Sequence, residues 1–267
     1  MLLTILILAA TTASTPIPLD QAQRIFEEIR LASDEEGGKL WGVPLAGPVL
    51  LVDRATRFAV GNVRDAEGAL APNGAVFTGS LPSSAILANT AMTWSGTRWA
   101  MVLWDSVSSR SVPRRNLLFH ESWHRIQDKL GFPAADAPVN ELDSIDGRYW
   151  LQLEFRALAA ALKAGGDLRR SAVRDAITFR ARRRKLFPAA GKREQALETN
   201  EGLAEYTGFA LRGTGESESR MTLANRLAGV DRNRSFVRSF AYETGPAYGL
   251  LLDAAAPRVD NSVPPRR

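Results

Sequence analysis

The segment LLFHESWHRI, residues 117–126, contains the only two histidines of the 267-residue chain. His120 and His124 are four residues apart, and Glu121 directly follows the first of them. On a helix, side chains at i and i+4 lie on one face, so both imidazoles can direct a nitrogen at a single Zn²⁺. The intervening glutamate can then reach a water molecule on the ion. The spacing therefore indicates a metal site in which Glu121 has a chemical role.

A helix through this segment also predicts which side chains meet the core. Phe119 and Trp123 fall on an apolar stripe, with the two histidines along its edge at the lip of a cleft. Ser122, Arg125 and Lys129 are expected on the far side, towards water. As a motif alone the pattern is only moderately specific, because a short motif with two free positions also arises by chance on an ordinary amphipathic helix.

A catalytic zinc site needs a third protein ligand and keeps its fourth position open. The chain has no cysteine, which excludes disulfides, thiolate nucleophiles and cysteine-ligated zinc. With no further histidine, the third ligand must be a carboxylate. The segment LETNEGLAEYTG, residues 197–208, places Glu198, Glu201 and Glu205 on one helix face, where like charges repel unless a cation or a basic partner offsets them. The glycine after Glu201 and the two further carboxylates favour Glu201 as the ligand.

Glu154, in WLQLEFRALAAAL, is the alternative third ligand. It lies on a long apolar helix, where an isolated carboxylate needs a partner, and Arg148 and Arg156 are the candidates. Glu198 and Glu205 are candidates to accept hydrogen bonds from the histidines or to pair with an arginine. A solvated acidic face is the other interpretation of the glutamate-rich segment.

Together, HESWH and NEGLAEY resemble the HExxH…NEGFA pairing of gluzincin metallopeptidases of the aminopeptidase N type. In that family the glutamate of the NEG triplet is the third zinc ligand, and it corresponds to Glu201. The segment FAYETGPAYGLLLD is similar to the family's YEKG segment, whose tyrosine stabilises the transition state and corresponds to Tyr242. The resemblance implies a zincin fold, Zn²⁺ as cofactor, and a peptide or protein substrate.

The chain departs from that family in two respects. Seventy-six residues separate His124 from Glu201, a longer spacer than the family has, and the added length corresponds to predicted helices near 150–162 and 167–186. RWAMVLW stands in the place of the family's GAMEN strand, which recognises a free substrate N-terminus, but it carries no acidic residue. The sequence therefore predicts no aminopeptidase specificity. The strand Arg98–Trp104 is expected to offer its edge to an extended peptide.

The chemistry expected of such a site is peptide hydrolysis. Zn²⁺ lowers the pKa of its bound water and polarises the substrate carbonyl. Glu121 takes the water proton as general base and passes it to the leaving amine. Tyr242 donates a hydrogen bond to the developing oxyanion. An inert zincin-like envelope binding protein, and a basic surface-binding protein without a metal, are the alternative functions.

The predicted organisation is an α+β zincin in four parts. A signal peptide over 1–13 is followed by an α/β lobe with a substrate-edge hairpin over 14–110. A helical zincin lobe with the metal site over 111–255 precedes a disordered polar tail over 256–267. Residues 1–13 combine an apolar run with small residues, which predicts export to the periplasm or the exterior. No later segment is long enough to span a bilayer, so membrane contact is expected only through the signal.

Short β-rich segments broken by turn residues lie between 47 and 104, and helical patterns follow from 113 onward. Helices are expected over 20–32, 114–130, 147–164, 167–186, 194–211, 219–227 and 234–252. A net charge of +5 is only mildly basic. The strongest basic cluster, RARRRK at 180–185, lacks interleaved aromatic residues and is expected on a solvated helix face, so no nucleic-acid partner is predicted.

Overall fold

The structure, a computed structural model, describes residues 16–255; the predicted signal peptide and tail lie outside this range. Helices and a mixed sheet confirm the α+β class. The strands are β1 Val49–Val52, β2 Phe58–Gly61, β3 Ala71–Asn73, β4 Val76–Ser80, β5 Thr90–Trp94 and β6 Thr97–Leu103. The helices are α1 Leu19–Glu36, α2 Ser111–Ile126, α3 Ile145–Lys163, α4 Gly166–Leu186, α5 Ala190–Leu197, α6 Leu203–Leu211, α7 Glu216–Gly229 and α8 Ala241–Ala255. None of the helices in 16–255 is long and apolar enough to cross a membrane.

The sheet has the strand order β3-β4-β2-β1-β6-β5, with β1 and β6 parallel and the other neighbours antiparallel. The prediction that Arg98–Trp104 offers a free edge is therefore wrong, because β6 pairs on both sides and β5 is the edge strand. Burial explains the interior position of β6: Trp99 and Met101 are buried on one face, and Ala100 and Val102 on the other. A strand covered on both faces belongs inside a sheet.

The predicted hairpin between β5 and β6 is confirmed. Its two turn residues, Ser95 and Gly96, have φ angles of 47° and 68°. Positive φ at both central positions is the requirement of a tight turn that matches the strand twist. The hairpin places β5 beside the start of the helix that carries both histidines.

Three apolar clusters hold the chain together. One face of the sheet packs against α1 and α2, and Phe119 and Trp123 of α2 are fully buried there. The opposite face is covered by residues that include Leu70 and Leu81. The third cluster lies among α3, α4, α6, α7 and α8. Helix α2 packs on both the sheet and α6, so it sits where the sheet meets the helical part.

Two predicted helices differ from the observed ones. The helix expected over 234–252 begins at Ala241, because residues 234–240 form turns that bury Phe236 and Phe240, and the Phe236 amide donates to Asp143. The helix expected over 194–211 is interrupted between α5 and α6 by a π-helical turn, Glu198–Gly202. A π turn changes the angular position of the residues that precede it.

The prediction of a solvated basic face at 180–185 is wrong for Arg180, Arg183 and Arg184, whereas Arg182 and Lys185 are exposed. Arg183 is fully buried and donates to Glu154 at 2.5 Å and to Glu194 at 2.9 Å. Arg180 donates to Glu154 at 2.7 Å and also pairs with Glu198. These arginines face α3 and α5 because their carboxylate partners lie there, so α4 is attached chiefly through charge pairs and buries little apolar surface.

Candidate metal centre

The two histidines project from adjacent turns of α2 and face each other through their Nε2 atoms, which are 3.2 Å apart. His124 is partly exposed, as predicted for both histidines at a cleft edge, whereas His120 is buried; both line the cavity. Their rings are inclined at 67°. The i, i+4 spacing in sequence thus becomes a pair of imidazole nitrogens within reach of one ion.

Glu201 completes the group from the π turn. Its Oε2 atom lies 3.4 Å from Nε2 of His120 and 3.5 Å from Nε2 of His124. A tetrahedral zinc with bonds of about 2.0–2.1 Å has ligand–ligand edges of about 3.3–3.4 Å. The three atoms form a triangle of that size, and among the described residues they are a group able to hold a metal ion. The donor set of two imidazoles and one carboxylate also suits zinc.

Glu205, one helical turn after Glu201, supports His120. Its Oε2 lies 3.1 Å from Nδ1 of His120, and its Oε1 accepts from Arg226 at 2.7 Å. A carboxylate can only accept, so Nδ1 of His120 carries the proton and Nε2 is left for an ion. Burial alone would lower the pKa of His120, but hydrogen bonds with Glu201 and Glu205 raise it to about 10. The pocket therefore favours a cation on this ring.

The groups around Glu201 also favour a positive charge at the centre. Burial would raise the pKa of Glu201, yet hydrogen bonds from the two histidines and Tyr242 hold it below its usual range. Burial likewise opposes ionisation of Glu205, while His120 and Arg226 keep its pKa low. Both carboxylates are thus ionised at neutral pH, and positive charge between them is stabilising.

Glu121 has the environment of a general base. It is buried at 3% exposure, and its Oε2 has no hydrogen-bond partner among residues 16–255. Burial raises the pKa of this carboxyl, while the charges of the two histidines pull it down. An unpaired carboxylate oxygen is costly to bury unless a ligand or water uses it. Glu121 lines the same cavity as the three proposed ligands.

Tyr242, in the first turn of α8, lies against His120. The two rings are stacked at an interplanar angle of 5°, with centroids 5.7 Å apart. Burial and a hydrogen bond to Glu201 raise the pKa of its phenol, so the hydroxyl stays protonated and donates to the Glu201 carboxylate. The backbone carbonyl of Tyr242 accepts from Arg226, which also supports Glu205.

Two glycines allow three helices to meet at this point. A Cβ on Gly208 would lie 2.6 Å from the Asn116 carbonyl oxygen of α2, and one on Gly245 would lie 2.2 Å from Cα of Gly202. Such distances are too short for any side chain. The helix that carries Glu201 can therefore approach both the histidine helix and the tyrosine helix only because these residues are glycine.

Other sequence-based assignments near the centre need correction. Ser122 and Arg125 are buried, not solvated, and Arg125 donates to the carbonyls of Leu45 and Ala46. These contacts attach α2 to the segment that precedes β1.

The alternative ligand Glu154 is engaged elsewhere. Its partners are Arg180 and Arg183, not the expected Arg148 and Arg156, because α4 and not α3 supplies the neighbouring cations. Glu198 pairs with Arg180 and accepts from Thr244 at 2.5 Å. Of its two proposed roles, pairing with an arginine is the one observed.

Gln127 and Asn200 are two polar residues at the centre that the sequence analysis missed. Nδ1 of His124 lies 2.8 Å from Oε1 of Gln127, whose Nε2 donates to Asn200 at 3.0 Å. Asn200 donates in turn to Glu201 at 3.3 Å. Their spacing was a usable signal, since Gln127 follows His124 by three residues and Asn200 directly precedes Glu201.

The group opens into a cavity of about 860 Å³. Strand β5 contributes Thr90, Ala91 and Met92 to one wall. A cavity with a free strand edge on one side and convergent polar groups at its base has the form of a site for an extended ligand.

Comparison of the chain with protein-family models, curated proteins and solved structures found no match.

Proposed function

We propose that this chain is an exported zinc-dependent metallopeptidase with a zincin fold of the gluzincin type. The observation that carries the proposal is the triangle of Nε2 of His120, Nε2 of His124 and Oε2 of Glu201, with edges of 3.2–3.5 Å. Lone pairs at that distance repel one another unless a proton or a metal ion lies between them, and two imidazoles with one carboxylate are a donor set that suits zinc. The unpaired Oε2 of Glu121 beside the triangle supports catalysis and not merely metal storage.

His120, His124 and Glu201 would hold the zinc. Bound there, Zn²⁺ would lower the pKa of a coordinated water and polarise a substrate carbonyl. Glu121 is the group that accepts a proton from the attacking water and delivers it to the amine as the scissile C–N bond breaks. Tyr242, protonated and beside His120, is the donor for negative charge that develops on the substrate oxygen. Each role belongs to a residue that lines the cavity.

The edge of β5 supports a peptide substrate. Main-chain groups on the outer side of an edge strand can pair with an extended chain, and alternate side chains then enter pockets. This assigns to β5 the role that the sequence had suggested for β6. Export rests on residues 1–13 alone, outside the described range.

The test of this function is peptide hydrolysis by purified zinc-loaded protein, measured on a mixture of internally quenched peptides. Glu121→Gln keeps the size of the side chain and removes its basicity. We expect turnover to fall about 100- to 10,000-fold while zinc stays bound. Glu218→Gln, an exposed isosteric control on α7, should retain wild-type turnover.

Two outcomes contradict the proposal, the first its mechanism and the second its assignment of an enzyme. Full turnover in Glu121→Gln excludes Glu121 as the base. Zinc-loaded wild-type protein without turnover on any peptide favours the alternative of an inert envelope binding protein.

A further inference from the structure

We propose that Gln127 is a positioning residue for the metal centre, acting through Asn200 to fix the ring of His124 relative to Glu201. This inference rests on the proposed zinc site. It concerns a connection between two ligands that come from different parts of the chain, α2 and the π turn. The connection is a chain of three hydrogen bonds, of 2.8, 3.0 and 3.3 Å.

The donor and acceptor of each of these hydrogen bonds follow from the Glu201 end of the network. The Glu201 carboxylate can only accept, so Asn200 must present its NH₂ group to Glu201 and its oxygen to Gln127. Gln127 must then present its NH₂ group to Asn200 and its oxygen to His124. The orientations of both side-chain amides are thus determined by the network.

The last bond determines the tautomer of His124. Because Nδ1 faces an amide oxygen, it must carry the proton, which leaves the lone pair of Nε2 free for the ion. Glu205 fixes the same tautomer on His120 through a carboxylate. The two imidazoles therefore depend on different supports, one charged and one built from neutral amides.

Burial stabilises the hydrogen bonds between the side-chain amides of Gln127 and Asn200. Gln127 is 1% exposed and Asn200 is 7% exposed, so water competes little for these bonds. Gln127 also directly follows the last residue of α2 and is the first residue of a tighter helical turn. Its side chain consequently connects the end of the histidine helix to the π turn, and both ligands keep one relative position before an ion arrives. Preorganised ligands bind an ion at lower entropic cost.

Zinc affinity of the full chain, measured by competition with a chromophoric chelator, tests this role. Gln127→Leu removes the acceptor for His124 and the donor to Asn200. We expect it to weaken zinc binding about 10- to 100-fold. Gln127→Glu restores the acceptor for Nδ1 of His124 but not the donor to Asn200, so it should recover part of the lost affinity. Rescue of this kind is not expected if Gln127 serves only to fill space.

Two further variants separate positioning from general loss of stability. Thr207→Val removes a buried hydroxyl that bonds to Trp41 and Leu203, away from the ligands, and should lower the melting temperature without changing zinc affinity. The double variant Asn200→Ala/Gln127→Leu should lose less zinc-binding free energy than the sum of the two single losses, because both substitutions interrupt the same hydrogen-bond network.

Wild-type zinc affinity in Gln127→Leu overturns the inference, and so does an equal loss of affinity in Gln127→Glu. Failure of the wild-type protein to bind zinc is a different result, because it contradicts the proposed function and removes the basis of the inference with it.

Discussion

At the scale of single residues, the centre is defined by which atom of each side chain faces the cavity once its other atoms are held by supporting residues. Nδ1 of His120 and Nδ1 of His124 are both engaged, so their Nε2 atoms meet at 3.2 Å beside Glu201. Oε2 of Glu121 is buried without a partner among the described residues. These atoms converge on one cavity, as the binding of an ion and a water molecule requires.

Tyr242→Phe should separate catalysis from metal binding. The phenyl ring keeps the stacking on His120, and only the hydroxyl is lost. We expect kcat to fall about 100- to 1,000-fold, as for the loss of one oxyanion donor, and zinc affinity to fall far less, through the lost hydrogen bond to Glu201. Steady-state kinetics and a zinc titration measure the two quantities.

Tyr248→Phe is the matched control on the same helix. Its hydroxyl donates to Glu154, outside the ligand group, so kcat should stay at the wild-type value. Equal kcat values for wild type and Tyr242→Phe would remove Tyr242 from the mechanism.

Much of this residue pattern was accessible from the sequence. The motif at 120–124 and the NEG triplet identified the three residues that the fold brings together. The sequence did not predict that Glu205 contacts His120 while Glu198 points elsewhere, because an unbroken helix places both glutamates on the face of Glu201. The π turn directs Glu198 to Arg180 and Thr244 instead, and a local distortion of that kind leaves no periodic signal.

At the scale of elements, the centre exists because three helices approach one another closely. Helix α2 supplies two ligands and the base, the π turn supplies the third ligand, and α8 supplies the tyrosine. Gly208 and the contact between Gly202 and Gly245 set the distances. In the sequence, Gly202 and Gly208 are glycines within a helical pattern, but the sequence does not name the helices that approach them.

Gly245→Ala should therefore destabilise the protein. The added methyl group would lie 2.2 Å from Cα of Gly202, so α8 and the π turn must move apart. Overpacking of this kind costs about 1–3 kcal/mol in the free energy of unfolding. Urea unfolding of the metal-free protein measures the change.

Gly191→Ala provides the comparison. A Cβ at this position of α5 would have its nearest neighbour at 3.7 Å, an ordinary contact. Replacement of glycine by alanine in a helix then leaves stability unchanged or raises it by up to about 1 kcal/mol. Equal stability of Gly245→Ala and Gly191→Ala would contradict the close-approach explanation.

At the scale of the whole molecule, the helical part combines an apolar core with a buried ionic network. Glu154, Glu194 and Glu198 hold Arg180, Arg183 and Arg184 between α3, α4 and α5. The sequence pattern predicted α4 as a helix but placed its arginines in solvent. Hydrophobic periodicity identifies the apolar face of a helix, but α4 is attached by charge pairs and has almost no apolar face to identify. The glutamates that pair with its arginines lie 10–29 positions away in the sequence.

Acid should weaken the protein partly through Glu154. Burial raises its pKa, but Arg180 and Arg183 outweigh burial and lower it below the ordinary value of 4.5. Its stabilising contribution is therefore present above the unfolded-chain pKa and is lost as the pH falls through the lower, folded-state pKa. Glu154→Gln should cost about 3–5 kcal/mol at neutral pH, since it leaves buried arginines under-compensated.

Denaturant unfolding at several pH values measures this difference. The gap between wild type and Glu154→Gln should narrow below pH 4.5. A gap that stays constant down to pH 2 would show that the charge of Glu154 is not the stabilising feature. The variant should still bind one zinc, since Glu154 contacts none of the proposed ligands.

The zinc content of the purified chain tests the central claim most directly. Metal-stripped protein is titrated with Zn²⁺ and bound metal is counted after gel filtration, for wild type, His120→Asn, Glu201→Gln and the control Glu154→Gln. We predict one zinc per chain for the wild type and the control, and none retained by the two ligand variants. A wild-type chain that retains no zinc, or zinc retained equally by all four proteins, would contradict the account.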